Sequence, residues 1–260
     1  MAPLTQLQDY QDLYRSAAVE RSPTGVLVVR IRNGDEPLVW SPRAHAELPE
    51  LFAAIAADRE NRVVVITGTG DTFIDWPEGH GRALAEGQGS PELWDRILFE
   101  GKRLIMQLLD IEVPVIAAVN GPALAHSELA VLADVVLAAD HAVFQDAAHF
   151  VGGLVPGDGM QVIWPLLLGP NRGRHFLLTG SVIDATEAER LGVVGEVLTA
   201  EELMPRALEL AENLAAMNPL LLRYSRQVMI QPLKKAMLDQ LQLGLALEAL
   251  ASISGRDEPA

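Results

Sequence analysis

The sequence predicts an α/β fold with parallel strand pairing, and three observations support the prediction. Short apolar segments typical of strands alternate with longer amphipathic segments typical of helices. Two of the strand segments, Arg62–Thr67 and Val113–Val119, are apolar on both faces, as parallel strands buried between helices are. From residue 200 onward the pattern is mainly helical. We therefore predict a core over residues 1–199 and a C-terminal helical region over residues 200–260.

Strand and helix patterns alternate through the first half of the chain. A helix begins at Pro42, and its pattern extends to Asp58. Pro49 is expected to interrupt this helix, which leaves His45 in a short first turn. Before the helix, a polar lead-in over residues 1–20 is followed by two predicted strands, Gly25–Arg32 and Leu38–Trp40.

Helices are the main predicted elements of the second half. A loop over residues 75–90 leads into a helix over Pro91–Leu109. Helical pattern resumes after Asp158, and a short helix ends at Gly192, where a C-terminal glycine is favoured. The last helix has an apolar face that must pack on the core or on another subunit. The remaining predicted strands are Val135–Ala139, Ala142–Phe144 and Val193–Leu198, and the last three helices are Ala200–Met217, Leu220–Ile230 and Leu233–Ile253.

Composition narrows the range of partners and chemistries. The formal net charge of −15 repels phosphate backbones, so we expect no nucleic acid partner. Cysteine is absent, which excludes disulfides and thiolate metal ligands. The sequence has no apolar run of about 18 residues and no basic segment followed by an apolar leader. We therefore expect a cytoplasmic protein without a membrane partner.

Residues 120–159 concentrate ionisable side chains between glycine and proline turns, as functional loops on a rigid scaffold do. His149 is either a loop histidine bonded to a carbonyl or a general base oriented by Asp158. In the second case the carboxylate fixes the tautomer and leaves the other ring nitrogen to take a proton from water. His126 is either a satisfied core histidine or a donor to a substrate oxygen. His141 lies in a predicted turn and is interpreted as structural.

A few residues outside this stretch have two interpretations as well. Glu248 lies among apolar helix neighbours, so it requires a partner or a raised pKa. Trp40 is either a core residue or a hydrogen-bond donor that lines a pocket. His80 is expected on a solvated loop face. The histidine spacing matches no zinc pattern, so no metal site is predicted.

Several motifs together resemble the crotonase superfamily over nearly the whole chain. They occur in that family's order: TGTGDTF, VPVIAAVNGPAL, ADVVLAADHAVFQ, GLVPGDG and FLLTGSVIDATEAERLGVVGEVL. The resemblance implies an α/β, crotonase-like ββα spiral with a C-terminal helical trimerisation region. It also implies a homotrimer or a dimer of trimers.

Two loops depart from the pattern of the superfamily members that use coenzyme A thioesters. Those members carry a glycine run after the NGxA segment, where this chain reads Ala125-His126-Ser127. Their first oxyanion loop continues with an Ala-Gly-x-Asp segment, where this chain reads Ile74–Pro77. The PLVW, NGP, FQD, HF and VPGDG segments are instead similar to the branch of 6-oxocamphor hydrolase and related β-diketone hydrolases.

The resemblance to this branch implies hydrolysis of a carbon–carbon bond in a cyclic 1,3-diketone, a retro-Claisen reaction that gives a keto acid. No metal or organic cofactor is expected, because the second carbonyl accepts the electrons. His149 is assigned as the base, oriented by Asp158. His126 and Trp40 are assigned as donors to a substrate carbonyl. The branch's catalytic set corresponds to His45, His126, His149, Asp158 and Glu248, with His45 and Glu248 as a supporting pair and with Trp40 and His126 in contact with substrate.

Two other functions remain open from the sequence. One is a coenzyme A-dependent hydratase or acyl-CoA hydrolase on the same fold, which requires an oxyanion hole from the altered loops. It also requires basic residues for the nucleotide phosphates, and these are sparse near residues 20–32 and 66–80 apart from Arg21, Arg30 and Arg32. The other is a non-catalytic scaffold, in which the titratable residues at the branch's catalytic positions coincide by chance.

Overall fold

The computed structural model describes residues 5–80 and 90–254. Its main sheet has six strands in the order β1-β2-β3-β4-β5-β8. The β1–β2 pair is antiparallel and every other pair is parallel, which confirms the predicted α/β class. A second sheet pairs β6 with β7. The strands are β1 Ala17–Arg21, β2 Val26–Ile31, β3 Val63–Thr67, β4 Val115–Val119, β5 Val135–Ala139, β6 Val143–Phe144, β7 Ile183–Asp184 and β8 Glu196–Leu198.

Two strand predictions in the first part of the chain are wrong. Ala17–Arg21 is strand β1 rather than the end of a polar lead-in. As an edge strand it buries only Ala17 and Val19, so its apolar signal is weak. The segment Leu38–Trp40 is not a strand: Val39 makes one isolated bridge, to Asp75 in the loop after β3. That local pairing satisfies the backbone without extending the main sheet.

Eight α-helices occur in the described part of the chain. Helices α1 and α2 pack on each other, α7 covers the central strands of the main sheet, and α8 packs on α2 and α4. No helix among the described residues is both long and apolar enough to cross a membrane. The helices are α1 Pro42–Ala57, α2 Pro91–Asp110, α3 Glu128–Val131, α4 Met160–Leu168, α5 Pro170–Thr179, α6 Ala185–Arg190, α7 Ala200–Ala215 and α8 Pro219–Ser254.

Two of the prolines inside helices, Pro49 and Pro232, lie where a break was predicted, and neither ends its helix. Helix α1 continues through Pro49, because Leu48 and Phe52 beside it are buried and their packing offsets the lost backbone hydrogen bond. Helix α8 continues through Pro232, so the two predicted C-terminal helices are one. Pro232 is exposed, and water can satisfy the carbonyl of the preceding turn.

The loops that follow β3 and β4 are locked together at the carboxyl edge of the sheet. Asn120 accepts a hydrogen bond from the Gly68 N–H at 2.8 Å and donates to the Gly70 and Thr72 carbonyls. The two loops approach so closely that a Cβ at Gly121 would lie 1.7 Å from the carbonyl oxygen of Asp71. Only glycine fits there, and this contact fixes where the segment after β4 enters the site.

Candidate active site

A cavity of about 280 Å³ lies beside these loops. Helices α1, α2 and α8 and the segments before α3 and α4 form its walls. Trp40, His45, His126, His149, Asp158 and Glu248, the residues predicted for the site, all line it. Much of the remaining surface is apolar and comes from Trp76, Leu93, Ile97, Leu154 and Leu245. The fold therefore brings residues from widely separated parts of the chain to one chamber.

His126 occupies the strained turn between β4 and α3. Its φ of 47° is the only positive φ of a non-glycine residue among the described residues. Such a conformation is unfavourable for a residue with a Cβ, and it persists where surrounding contacts fix it. Here the Nδ1 atom is 2.7 Å from Oε1 of Glu128, the first residue of α3. With Nδ1 held by the carboxylate, Nε2 is the nitrogen left for a substrate.

His149 follows β6 and is held by a carboxylate three residues earlier. Its Nδ1 donates to Oδ1 of Asp146 at 2.6 Å, and its backbone N–H reaches the same oxygen at 3.3 Å. Its Nε2 lies 3.2 Å from Oδ2 of Asp158. The sequence led us to expect Asp158 as the carboxylate that orients His149. The structure places Asp146 in that position and Asp158 at the opposite nitrogen, because the short Asp146–His149 turn brings the two side chains together.

Asp158 lies between the two histidines. Its Oδ2 is 3.2 Å from His149 Nε2 and also 3.2 Å from His126 Nδ1. Both are ion-pair contacts rather than well-aligned hydrogen bonds, since neither Asp158 oxygen has a hydrogen-bond partner among the described side chains. The backbone N–H of Met160, at the start of α4, contributes to lowering the pKa of Asp158. One carboxylate thus couples His126 to His149.

Burial makes these contacts electrostatically strong. Burial alone would lower the pKa of His149, but the charges of Asp146 and Asp158 outweigh it and raise that pKa well above 6.5. Burial would likewise lower the pKa of His126, but the charges of Glu128 and Asp158 outweigh it and raise that pKa. Burial would raise the pKa of Asp158, yet the two histidines hold it below its usual range. The cluster therefore titrates as a unit.

Glu248 reaches the site because α8 packs directly on the loop before α4. A Cβ at Gly244 would lie 2.3 Å from the carbonyl oxygen of Gly157, so glycine is required at this crossing. Glu248 follows one helical turn later and faces the same loop, which also carries Asp158. Its Oε2 is buried without a hydrogen-bond partner among the described residues. Burial raises the pKa of Glu248 to about 8, with Asp158 adding to the rise.

Trp40 forms the side of the chamber nearest His126. Its ring lies over the His126 ring with centroids 3.7 Å apart. Its carbonyl oxygen is 2.6 Å from Nε2 of His80, so His80 supports this wall and is not the solvated residue we expected. Trp76 contacts the His80 ring edge to face at 4.8 Å. The rest of the predicted loop, residues 81–89, lies outside the described residues.

His45 belongs to a second polar group nearer the surface. Its Nδ1 is 2.9 Å from Oε2 of Glu100 on α2, and Arg96 donates to Oε1 of the same carboxylate at 2.6 Å. Burial would raise the pKa of Glu100, but the hydrogen bonds from His45 and Arg96 lower it. His45 and Glu248, expected as a supporting pair, both line the cavity, and the carboxylate that holds His45 is Glu100.

Three residues of the site were missed from the sequence: Glu100, Glu128 and Asp146. Asp146 and Glu128 each lie two or three residues from a histidine, and that spacing was the available signal. It is a weak signal, because Asp140 and His141 are also adjacent yet form an exposed pair at 3.3 Å. Only burial distinguishes the two pairs beside the cavity from the surface pair.

One group of side chains has the donor types of a metal site. The ligand atoms of His126, Glu128 and Asp158 lie within 4.8 Å of one another, and all three residues are buried. His126 Nδ1 is already hydrogen-bonded to Glu128, so the proton on the imidazole balances the carboxylates in this arrangement. In this arrangement the three residues form a hydrogen-bonded acid–base cluster rather than a set of metal ligands.

The comparison with protein families identifies the class of this fold and site. A sequence profile described as "Enoyl-CoA hydratase/isomerase" matches residues 21–251. The chain belongs to this family, the crotonase superfamily. The resemblance inferred from the motifs is therefore confirmed.

Three individual proteins show what this chain is similar to within the family. The chain is 41% identical to a β-diketone hydrolase from the cyanobacterium Anabaena sp. PCC 7120, solved bound to (S)-3-oxocyclohexyl acetic acid; the match covers 96% of this chain and 98% of that one, with a TM-score of 0.91. An enoyl-CoA hydratase/isomerase from Mycobacterium paratuberculosis is 25% identical over 93% of this chain and 95% of that one, with a TM-score of 0.84. Carnitinyl-CoA dehydratase of Citrobacter koseri is 36% identical over 185 residues, 70% of this chain and 68% of that protein.

Proposed function

We propose that this enzyme hydrolyses a carbon–carbon bond in cyclic β-diketones to give a keto acid. The observation that supports this most directly is the pair of buried, carboxylate-held histidines, His126 and His149, on one small apolar cavity. Such a site can activate water and stabilise an alkoxide without a thioester or a cofactor. The similarity to the Anabaena β-diketone hydrolase supports the same reaction class.

The first step adds water to one ketone. His149 takes the proton as the water oxygen bonds to the carbonyl carbon. Asp158 lies on the Nε2 side and stabilises the imidazolium that forms. The reaction needs the neutral form of His149, and the flanking carboxylates favour the charged form. We therefore expect the rate to rise with pH as His149 loses its resting proton.

The alkoxide that forms requires donors, which are assigned to His126 and Trp40. A hydrogen bond from His126 Nε2 is strengthened as charge develops on the oxygen, and Glu128 and Asp158 stabilise the charged imidazole. The indole N–H of Trp40 is assigned as the second donor. These side chains take the place of the backbone oxyanion hole expected in thioester-using members of the superfamily.

The second step breaks the bond between the former carbonyl carbon and the carbon that separates the two ketones. The electron pair passes to the second carbonyl as an enolate, and the attacked carbon becomes a carboxylic acid. The enolate carbon then takes a proton. Glu248 is assigned to supply or relay it, because burial keeps this carboxyl protonated up to a pH of about 8. His45 lies farther out and is assigned to position the substrate.

A coenzyme A-dependent hydratase remains the second candidate, because curated relatives at 33–36% identity are named carnitinyl-CoA dehydratase. The cavity favours the first candidate. Its volume of about 280 Å³ suits a ring-sized substrate, and His126 stands in the turn before α3 where we expected thioester-using members to have glycine.

We also propose that the enzyme is a homotrimer or a dimer of trimers. The helix α8 exposes a long series of large apolar side chains on the isolated chain, among them Leu220, Tyr224, Val228, Leu243 and Leu250. Faces of this kind normally pack on another subunit. Light scattering after size exclusion would give the number of chains directly.

The function is tested by following the loss of the enolised 1,3-dione chromophore with a panel of mono- and bicyclic diketones and no added cofactor. We expect loss of absorbance together with formation of a keto acid, and loss of both in His149→Ala. His141→Ala is the matched control, because His141 pairs with Asp140 at the surface. Absence of turnover with every diketone, together with tight binding of an acyl-CoA, would support the thioester candidate instead.

A further inference from the structure

Both ring nitrogens of His149 contact a carboxylate, and the two contacts differ in length. The Asp146 contact is short, at 2.6 Å, and is reinforced by the backbone N–H of His149. The Asp158 contact is 3.2 Å and is shared with His126. A strong contact at Nδ1 and a weak one at Nε2 assign different tasks to the two carboxylates.

Asp146 is placed so that its charge acts on His149. It is completely buried, and its Oδ2 has no hydrogen-bond partner among the described residues. Its Oδ1 makes both contacts with His149. Four carboxylates, at 128, 146, 158 and 248, surround the two histidines, but only Asp146 is hydrogen-bonded to His149 through both backbone and ring.

We propose that Asp146 is the positioning residue of the catalytic histidine: it holds the proton on Nδ1 of His149, so that Nε2 is the nitrogen that exchanges protons in the cavity. This rests on the proposed function for the identity of the base. Asp158 then acts between the two histidines, where it stabilises positive charge on either ring. Asp146 does not touch the substrate and acts only through His149.

The arrangement sets the pH range in which His149 can act as a base. Asp146 faces His149 from its own segment, Asp158 from the loop before α4, and Glu248 from α8. His126 approaches from the loop after β4, with the ring centroids 6.2 Å apart. The carboxylates that face His149 outnumber the one other cation, His126. His149 therefore retains its proton to higher pH than an isolated imidazole would. Removing the Asp146 charge should therefore move the rise in activity to lower pH.

The experiment compares Asp146→Asn with the wild type by the pH profile of kcat/KM and by NMR of ¹⁵N-labelled histidine. We expect the ascending limb to move by about one pH unit or more to the acid side and kcat to fall by roughly 10²-fold or more, as expected when a base loses its fixed tautomer. KM should change little. The NMR titration of His149 should move in the same direction. Asp140→Asn, in the exposed His141 pair, is the matched control and should leave all four quantities unchanged.

The outcomes separate the inference from the proposed function. If the wild type cleaves diketones and Asp146→Asn keeps the same limb and the same His149 titration, Asp146 has no positioning role. If no diketone is cleaved but the His149 titration moves as expected, the electrostatic assignment stands and the function is wrong. Asp146→Ser, which removes the charge with a smaller side chain, is measured in the same way if Asp146→Asn fails to fold; an unmoved titration in that variant also overturns the inference.

Discussion

The site contains two histidine groups that use the same chemistry at different depths. In the inner group, His126 and His149 are bonded to Glu128 and Asp146, and side-chain exposure is 8% or less for all four. In the outer group, His45 is bonded to Glu100, which also pairs with Arg96, whose side chain is 65% exposed. The inner group has two histidines among four carboxylates, whereas the outer group has its own arginine.

The difference shows what depth does to a carboxylate–histidine pair. Away from water, the charges of Asp146 and Asp158 overcome the burial cost and raise the pKa of His149 well above its ordinary value. Near the surface, water and Arg96 share the charge of Glu100. The inner group is therefore suited to move protons and the outer group to hold a wall in place. Four changes test this division.

The largest effect is expected for His149→Ala. Loss of the base should lower kcat by about 10²–10⁴-fold with little change in KM, because the interaction is made in the transition state. Turnover of the preferred diketone is the measurement. Turnover within a few-fold of wild type would remove His149 from the mechanism.

The next largest effect is expected for His126→Ala. Loss of one alkoxide donor typically costs on the order of 3–4 kcal/mol of barrier, or about 10²–10³-fold in kcat. The substitution keeps a Cβ at the position with positive φ, so the backbone strain is unchanged. Steady-state kinetics would measure it. A change confined to KM would assign His126 to ground-state binding rather than to the alkoxide.

Glu248→Gln should separate stability from activity. The folded pKa of Glu248 is raised to about 8 from an ordinary 4.5, so its contribution to stability is fully present below pH 4.5 and is lost as pH rises through 8. Glutamine does not ionise, so the variant should gain Tm over wild type at pH 9 but not at pH 5. The accompanying gain in the free energy of unfolding at pH 9 should be about 5 kcal/mol at most, because a rise of the pKa from 4.5 to about 8 is worth about 1.4 kcal/mol per pH unit. Turnover should fall.

Melting curves at the two pH values measure that gain, and Glu20→Gln on the exposed side of β1 is the control. Equal Tm changes at both pH values would mean that Glu248 keeps its ordinary pKa in the folded protein. In that case the carboxyl is ionised at neutral pH and cannot donate the proton to the enolate.

The smallest effect is expected for Glu100→Gln in the outer group. Breaking its pairs with His45 and Arg96 should cost about 1 kcal/mol or less in stability, as for other partly solvated pairs. We expect KM to rise a few-fold with kcat nearly unchanged. Glu187→Gln, in the exposed pair with Arg190, is the control. A fall of about 100-fold in kcat would show that the outer group takes part in proton transfer.

Much of the fold could be predicted because its signals are local. The strands β3 and β4 are buried on both faces, and their continuous apolar segments are visible in the sequence. The errors occur where packing overrides a local rule. Pro49 and Pro232 continue their helices because buried neighbours or water compensate for the lost hydrogen bond. The edge strand β1 buries only one face and gives too weak a pattern.

The sequence by itself determined the superfamily, the parallel sheet and the residue types of the site, since these depend on apolar periodicity and motif order. Tertiary structure decided the pairing of those residues. Asp146 rather than Asp158 holds His149 at Nδ1, and Glu100, which the sequence did not single out, holds His45. The choice depends on distances of about 3 Å and on the exclusion of water, and both arise only when helices from distant parts of the chain close around one cavity.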